Sequence, residues 1–152
     1  MYIMGASITR DGQWLLYGLV LTKDLWSSKY HLMKMDTKTG QATEIGNGAN
    51  PTWSPDEKQI TYLYLDGIYV MNADGTDNRR VLQHNFTEIG NPEQIDPFGP
   101  LPRWSPDGKW LVYHRCNKAE CLLFDNTIYK LEIATGLETE LAPAGLFPDW
   151  KR

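Results

Sequence analysis

The sequence predicts an all-β fold built from about three copies of one repeat, each forming four antiparallel strands. Trp-Ser-Pro-Asp occurs at 53–56 and again at 104–107. Asp-Gly-x-Trp-Leu occurs at 11–15 and at 107–111, 96 positions apart. The chain holds 13 Gly, 9 Pro, 6 Trp and 8 Tyr among 152 residues, a composition that suits short aromatic strands joined by tight turns. No helical period interrupts this pattern.

The same offset of 96 continues beyond these motifs: it also pairs Thr39-Gly40 with Thr135-Gly136. A middle copy begins at Asp56 and divides the offset into 45 and 51 positions. A period of this size is typical of β-propeller blades. The predicted fold is therefore a partial propeller of about three blades with an extra C-terminal strand. The predicted units are blade 1 at about 2–46, blade 2 at about 49–83, blade 3 at about 98–142, and a closing strand at about 146–150.

Each repeat divides into strands in the same way. An innermost strand ends at the Trp of the motif, or at Ile8 in the first copy. The second strand is apolar and aromatic, the third alternates Met, Tyr and Leu, and the fourth is short and polar, as suits an outer edge. The predicted second, third and fourth strands are 14–21, 30–36 and 42–45 in blade 1; 59–65, 68–72 and 79–82 in blade 2; and 110–115, 127–133 and 138–141 in blade 3.

The Ser-Pro-Asp-Gly run predicts a tight turn between the first two strands. Pro sets φ at its second position, while Asp and Gly tolerate the conformations that close it. We expect Asp56 and Asp107 to hydrogen-bond local backbone there and not to act as catalytic acids. Glu57 replaces the Gly in blade 2, so a slightly different turn is expected. Blade 1 has Ile8-Thr9-Arg10 where Trp-Ser-Pro is expected.

Trp-Ser-Pro-Asp-Gly-Lys at 104–109 and Ile-Tyr-Val-Met-Asn-Ala-Asp-Gly at 68–75 resemble the TolB-type (WD-like) β-propeller repeat. This repeat also occurs in the propeller domains of prolyl-oligopeptidase-like enzymes. The resemblance covers about residues 7 to 150. It implies a binding scaffold of the periplasm or the extracellular space, and it says little about the ligand.

Composition excludes several classes of function. The net charge is −4 and no Lys/Arg run occurs, so we expect no nucleic-acid partner. No stretch of 18 apolar residues occurs, so no membrane insertion is expected. The first ten residues lack the charged and apolar regions of a signal peptide, which leaves a cytoplasmic location open beside the one that the resemblance implies.

Loop lengths indicate where a ligand would bind. The connections between first and second strands, and between third and fourth, are short and uniform. The connections on the opposite face vary in length (22–29, 83–100 and 117–126) and form what we call the variable face. Binding residues often lie on such loops, although loops also simply cover the ends of blades. The candidate binding residues are Trp26, Tyr30, His31, His84, Phe86, Asp96, Phe98, Arg115 and Glu120.

No metal or cofactor is predicted. The segment 72–77 resembles a calcium loop only faintly, since its Gly is misplaced and the bidentate Glu is missing. We interpret it as a hairpin turn. The three histidines show no ligand spacing. Cys116 and Cys121 are either two thiols or one disulfide that would pin the loop between two strands.

The sequence supports two hypotheses about function. The first is a non-catalytic propeller module that binds a protein, peptide or glycan through its variable face. The second is a propeller fragment of a prolyl-oligopeptidase-like peptidase or of another propeller enzyme. No G-x-S-x-G nucleophile motif occurs, and the innermost strands are mostly apolar with Arg103 as their charged residue, which favours the first. Closed propellers use about four to eight blades, so three blades belong either to a longer propeller or to chains that associate to complete one.

Overall fold

The computed structural model describes residues 2–21, 30–84, 87–88, 91–95, 101–116, 126–143, 145 and 148–150. In this part of the chain there are fourteen strands and no helix. Twelve of the strands form three four-stranded antiparallel sheets, and in each sheet the spatial order follows the chain order. These sheets are the predicted repeats, and we call them blades 1, 2 and 3.

The strands begin and end close to their predicted bounds. Blade 1 comprises β1 (Tyr2–Ile8), β2 (Trp14–Val20), β3 (His31–Asp36) and β4 (Ala42–Asn47). Blade 2 comprises β5 (Ala49–Trp53), β6 (Gln59–Tyr64), β7 (Gly67–Asn72) and β8 (Arg79–Gln83). Blade 3 comprises β11 (Arg103–Trp104), β12 (Trp110–Cys116), β13 (Asn126–Glu132) and β14 (Glu138–Ala142). Between blades 2 and 3, β9 (Thr87–Glu88) and β10 (Asn91–Ile95) pair as a small antiparallel sheet within the segment 83–100, which was predicted to be a loop.

Neighbouring blades pack face to face through apolar side chains. Leu16 and Leu32 of blade 1 meet Ile60, Tyr62 and Met71 of blade 2. The opposite face of blade 2 packs on blade 3 through a second cluster, formed by Leu63, Ile68, Val70, Val81, Trp104, Leu111, Tyr113, Tyr129, Leu131 and Ile133. The innermost strands of successive blades also lie in contact, β1 with β5 and β5 with β11. The core therefore lies between the blades, as in a propeller.

The repeated turn uses one hydrogen-bond network. In blade 2, Ser54 Oγ donates to Asp56 Oδ1 (2.7 Å), and the same Oδ1 accepts from the backbone N–H of Lys58 (3.2 Å). Ser54 Oγ in turn accepts from the N–H of Gln59 (2.9 Å), which starts β6. Ser105 and Asp107 repeat the arrangement in blade 3. The predicted local role of Asp56 and Asp107 is confirmed.

Blade 1 forms the same turn from a different sequence. Thr9 Oγ1 donates to Asp11 Oδ1 (2.7 Å) and accepts from the N–H of Trp14 (2.9 Å), so Thr9 replaces the motif's Ser. The expected difference at Glu57 in blade 2 is also absent. Glu57 has φ 60°, in the same left-handed region as Gly12 (73°) and Gly108 (71°).

The predicted closing strand differs from expectation. Its described residues, 148–150, are in no strand. An innermost strand needs the second strand of its own blade as a partner, and the described part of the chain offers none beyond blade 3. Trp150 is held differently, since its indole Nε1 donates to the carbonyl of Arg103 in β11 (2.9 Å).

Candidate binding surface

Two polar and aromatic clusters lie where the second strands end and the third strands begin. The first, which we call the Asp66 cluster, is built on the turn between β6 and β7. The second, the Arg115 cluster, is built on the end of β12 and spans to the end of blade 2. The Asp66 cluster lies at the variable face, and the Arg115 cluster extends from that face along blade 3 to Glu138 at the start of β14. Both combine Tyr with Arg and a carboxylate.

The Asp66 cluster joins three strands of blade 2. Tyr69 OH donates to Asp66 Oδ1 (2.9 Å), and Arg80 forms an ion pair with the other carboxylate oxygen. Arg80 also donates to Gln83 Oε1 (3.3 Å). The ring of Tyr64 meets that of Tyr69 edge to face, with centroids 6.5 Å apart. The turn has only two residues, Leu65 and Asp66, and the hydrogen bond from Tyr69 holds the carboxylate beside β7.

This cluster is open to solvent. The side chains of Arg80 and Asp66 are 38% and 50% exposed, so an incoming group can reach both charges. Tyr69 is more enclosed: burial raises its pKa, and its hydrogen bond to Asp66 raises it further. Tyr64 connects the cluster to blade 1, because its OH accepts from Asn47 Nδ2 (3.4 Å). The cluster therefore presents charged and aromatic groups where blades 1 and 2 meet.

The Arg115 cluster is more enclosed. Arg115 Nε and Nη2 donate to the two carboxylate oxygens of Glu138, at 3.0 and 2.6 Å. The guanidinium lies over the ring of Tyr129, with Cζ 4.3 Å from the centroid. Tyr113 OH also donates to Glu138, and its ring stacks on Tyr129. The side chains of Arg115 and Glu138 are 18% and 20% exposed.

His84 extends this cluster onto blade 2. Its Nδ1 lies 3.3 Å from Arg115 Nη1, and its backbone N–H donates to the carbonyl of Asp66 (3.1 Å). Burial lowers the pKa of His84, and the positive charge of Arg115 lowers it further. A neutral ring accepts from the guanidinium through Nδ1. His84 therefore connects the two clusters across the boundary between blades 2 and 3.

The structure separates the predicted binding residues that it describes into three groups. His84 and Arg115 lie together in the Arg115 cluster. His31 lies apart, with Nδ1 3.1 Å from Glu44 Oε1 in blade 1. Tyr30 is not a surface residue: it directly precedes β3, is 3% exposed and packs with Val20 and Ala49. Outside the described residues lie Trp26, Phe86, Asp96, Phe98 and Glu120.

The state of the two cysteines, thiols or a disulfide, stays a prediction. Cys116 ends β12, while its side chain and Cys121 lie outside the described residues.

The two clusters also contain residues that the sequence did not indicate as binding residues, because the prediction rested on long loops and not on a two-residue turn or on the strands themselves. These residues are Tyr64, Asp66, Tyr69, Arg80, Tyr113, Tyr129 and Glu138. The available signal was an Asp-Gly turn between two Tyr-rich strands.

The described side chains form no group of three or more His, Cys, Asp or Glu that could hold a metal ion. None of the described segments is a helix long and apolar enough to cross a membrane. The arrangement of ion pairs and aromatic rings fits recognition of another molecule, since Tyr and Arg are enriched in protein interfaces.

Two curated proteins are similar to this chain, and in each the similarity covers a small part of a longer protein. No family model matches this chain. A putative dipeptidyl aminopeptidase of Schizosaccharomyces pombe is 23% identical over 120 residues, which cover 72% of this chain and 15% of the relative. Dipeptidyl peptidase 4 of Felis catus is 22% identical over 139 residues, which cover 83% of this chain and 18% of the relative. The chain thus spans less than a fifth of either relative.

Solved structures show the fold. TolB from Acinetobacter baumannii matches with a TM-score of 0.64 at 21% identity, over 92% of this chain and 32% of that one. A putative TolB from Agrobacterium tumefaciens matches with a TM-score of 0.65 at 18% identity, over 95% and 51%. The β-propeller domain of the Trilobed protease from Pyrococcus furiosus matches with a TM-score of 0.60 at 17% identity, over 92% and 42%. The fold of this chain is a partial β-propeller, similar to the propellers of these structures.

Proposed function

We propose that this chain is a non-catalytic propeller module that binds a partner through its variable face, with the Asp66 cluster as the central contact. The observation that carries the proposal is the half-exposed Arg80–Asp66 pair beside Tyr64 and Tyr69. The chemistry favours a protein or peptide partner over a glycan. A guanidinium and a carboxylate side by side match the alternating charges of peptide side chains and termini, and the Tyr rings supply rigid contact area.

The scaffold supports such a role. Asp66 is fixed by Tyr69 OH and by Arg80, so the charges are placed before a partner arrives, which lowers the entropy cost of binding. The Arg115 cluster lies alongside and is largely enclosed. Its part in the proposal is to hold blades 2 and 3 in register, so that His84 and Asp66 keep their relative positions.

Random peptides displayed on phage are the probe that tests this proposal. Peptides selected on the wild-type chain are expected to bind the Arg80→Glu and Tyr64→Ala variants at least about tenfold more weakly, as hot-spot residues do. The matched control is Lys109→Glu, the same charge reversal in the exposed turn between β11 and β12. The proposal is overturned if the selected peptides bind all three variants as well as wild type. A glycan array with the same variants tests the other ligand class.

The second candidate is the propeller part of a prolyl-oligopeptidase-like peptidase, and the observation that favours it is the likeness to the two dipeptidyl peptidase relatives. In that case the proposed partner surface would face a hydrolase domain. The nucleotide sequence flanking this reading frame is the discriminating measurement. A G-x-S-x-G motif encoded in frame downstream would support the peptidase, and its absence would support the binding module.

For location we propose the periplasm or the extracellular space, supported by the resemblance to TolB-type repeats. Fractionation of cells expressing the full gene tests this. Recovery of the protein with cytoplasmic markers would contradict it.

A further inference from the structure

Among the described residues, blade 2 packs between two blades, whereas blades 1 and 3 each pack against one. In blade 2, Ile60 and Tyr62 are 0% and 2% exposed because blade 1 covers them. Their equivalents in blade 1, Leu15 and Tyr17, are only half-buried. The innermost strand of blade 1 adds Ile8, which is 54% exposed. Blade 1 therefore has an apolar face of the kind that another blade covers elsewhere in this chain.

Both existing blade boundaries share one backbone contact. The outer strands β4, β8 and β14 all break register at one residue: Ile45, Val81 and Leu141 respectively. The first two carbonyls lie against the turn glycine of the next blade. A Cβ on Gly75 would lie 3.1 Å from Ile45 O, and one on Gly136 would lie 3.0 Å from Val81 O.

The same two groups are exposed at the ends of the row. Gly40 is the turn glycine of blade 1, with φ 72° like its counterparts, yet no described atom lies within 4 Å of a Cβ built there. Leu141 of blade 3 is 51% exposed, whereas Val81 in the equivalent position is 8% exposed. The glycine of blade 1 and the bulge of blade 3 are thus the two halves of a contact that the chain makes twice elsewhere.

A second contact repeats in the same way. Lys34 Nζ donates to the carbonyl of Ala73 in blade 2 (2.9 Å), and Arg79 Nη1 donates to the carbonyl of Ile133 in blade 3 (3.4 Å). Ala73 and Ile133 are equivalent, since the N–H of each bonds to the turn before the second strand of its own blade. At both boundaries, a Lys or Arg side chain of one blade therefore donates to a backbone carbonyl of the next blade. That carbonyl belongs to the first residue after the third strand.

Blade 3 carries the cation for a third such contact. Lys130 is the 96-position equivalent of Lys34, and its Nζ lies 4.7 Å from the ring centroid of Trp110, as that of Lys34 lies 4.6 Å from Trp14. Blade 1 carries the matching carbonyl on Thr37, whose N–H bonds to Gln13 as that of Ala73 bonds to Lys58.

We propose that blade 3 of one copy of this chain docks on blade 1 of a second copy, and that two copies close a ring of six blades. Lys130 donates to the Thr37 carbonyl of the second copy, and the bulge at Leu141 receives Gly40. The contact is heterologous, and such contacts form a ring when the rotation closes. Six blades lie within the range of closed propellers. Strand β1 of the second copy supplies the innermost strand beyond β11, a position that residues 148–150 do not occupy as a strand.

The test begins with the mass of the 152-residue chain by sedimentation velocity. We expect twice 17.4 kDa. Leu141→Asp places a charge in the proposed contact and is expected to raise the dissociation constant of the dimer at least about tenfold. Leu137→Asp is the matched control, because Leu137 is 60% exposed and lies at no repeated boundary contact. Circular dichroism confirms that both variants keep their strand content.

Mixing two variants tests the head-to-tail geometry. Gly40→Trp blocks blade 1, and Leu141→Asp blocks blade 3. Each alone is expected to be monomeric, while the mixture is expected to form a one-to-one complex through the two intact faces. A monomeric wild type at every concentration would overturn the proposal and assign both faces to further blades of a longer polypeptide. A mixture that stays monomeric would overturn the head-to-tail contact.

Discussion

Arg115 binds Glu138 with two nitrogens across the full width of β13, and Tyr129 lies beneath the guanidinium. The two partners come from the second and fourth strands of one blade. This side-on pairing needs the planar fork of Arg, which Lys lacks. The pair is shielded by the adjoining blade, so it is screened less than a surface salt bridge.

Glu138→Gln is predicted to lower the free energy of unfolding by about 1–3 kcal/mol, because it removes the charge that Arg115 and Tyr113 both contact. Arg115→Lys should cost a similar amount, since one ammonium replaces two directed nitrogens. Urea unfolding monitored by Trp fluorescence measures both. Glu140→Gln on the exposed side of β14 is the control. Equal stability of the Glu138 and Glu140 variants would contradict the structural role of the pair.

His84 provides a pH-dependent prediction. Burial and Arg115 hold its pKa in the folded protein below 6.5. The unfolded chain therefore binds the proton more readily, and the stabilising contribution is present above pH 6.5 and lost as the pH falls through the folded pKa. The ring resonances of His84 in NMR should titrate below pH 6.5. His84→Gln should weaken the dependence of stability on pH in that window. A His84 pKa above 6.5 would show that its contact with Arg115 is not formed in solution.

The three turn carboxylates predict a loss of stability in acid. The pKa values of Asp11, Asp56 and Asp107 lie below 3.8, first because a Thr or Ser hydroxyl donates to each and then because a backbone N–H does. Their contribution is present above pH 3.8 and lost as the pH falls through the folded values. Changing all three to Asn should flatten the decline of the urea midpoint below pH 3.8. Asp77→Asn reports the effect of losing one surface charge outside these turns.

Substitutions at two glycines with positive φ distinguish the cost of backbone strain from the cost of steric crowding. Gly12 has φ 73° with no described atom within 4 Å of a Cβ, so Gly12→Ala is predicted to cost about 1 kcal/mol from conformation alone. A Cβ on Gly48 would lie 2.6 Å from Leu63 O and would also collide with the Tyr62 ring. Gly48→Ala should therefore cost about 1–3 kcal/mol more. Equal losses in thermal unfolding would contradict the close approach of blades 1 and 2 at Gly48.

Local sequence was sufficient to predict the blades. The offset of 96 positions located β2, β3, β4 and their counterparts to within two or three residues. The second and fourth strands of each blade follow a turn that contains an Asp or a Gly. Thr9 shows the limit of this approach. Thr9 replaces the Ser of the motif in blade 1 and makes the same hydrogen bonds. A comparison of residue types alone therefore understates how closely blade 1 matches the other two blades. Glu57 similarly adopts the left-handed conformation that Gly12 and Gly108 adopt at the equivalent position of the other two blades.

The candidate site was less predictable, since it depends on which side chains the sheet brings together. Glu138 reads as one polar residue of an outer strand, and nothing in its neighbours indicates that Arg115 reaches it from two strands away. From the sequence, Tyr30 is expected to be an exposed aromatic residue beside a loop, yet it packs with Val20 of blade 1 and Ala49 of blade 2. The bulges at Ile45, Val81 and Leu141 depend on pairing geometry and have no signature in the sequence.

Blade 2 is covered on both sides, and Ile60, Thr61 and Leu63 of its second strand are 0% exposed. In a row of repeats that contact only their neighbours, stability is close to a sum of units and boundaries. The backbone amides of β6 should therefore exchange with deuterium most slowly, with protection falling towards β1 and β14 in a single chain. Closure into a ring would remove this gradient, because every blade would then have two neighbours. The profile of amide protection along the 152 residues thus distinguishes an open row of blades, with a less protected blade at each end, from a closed ring.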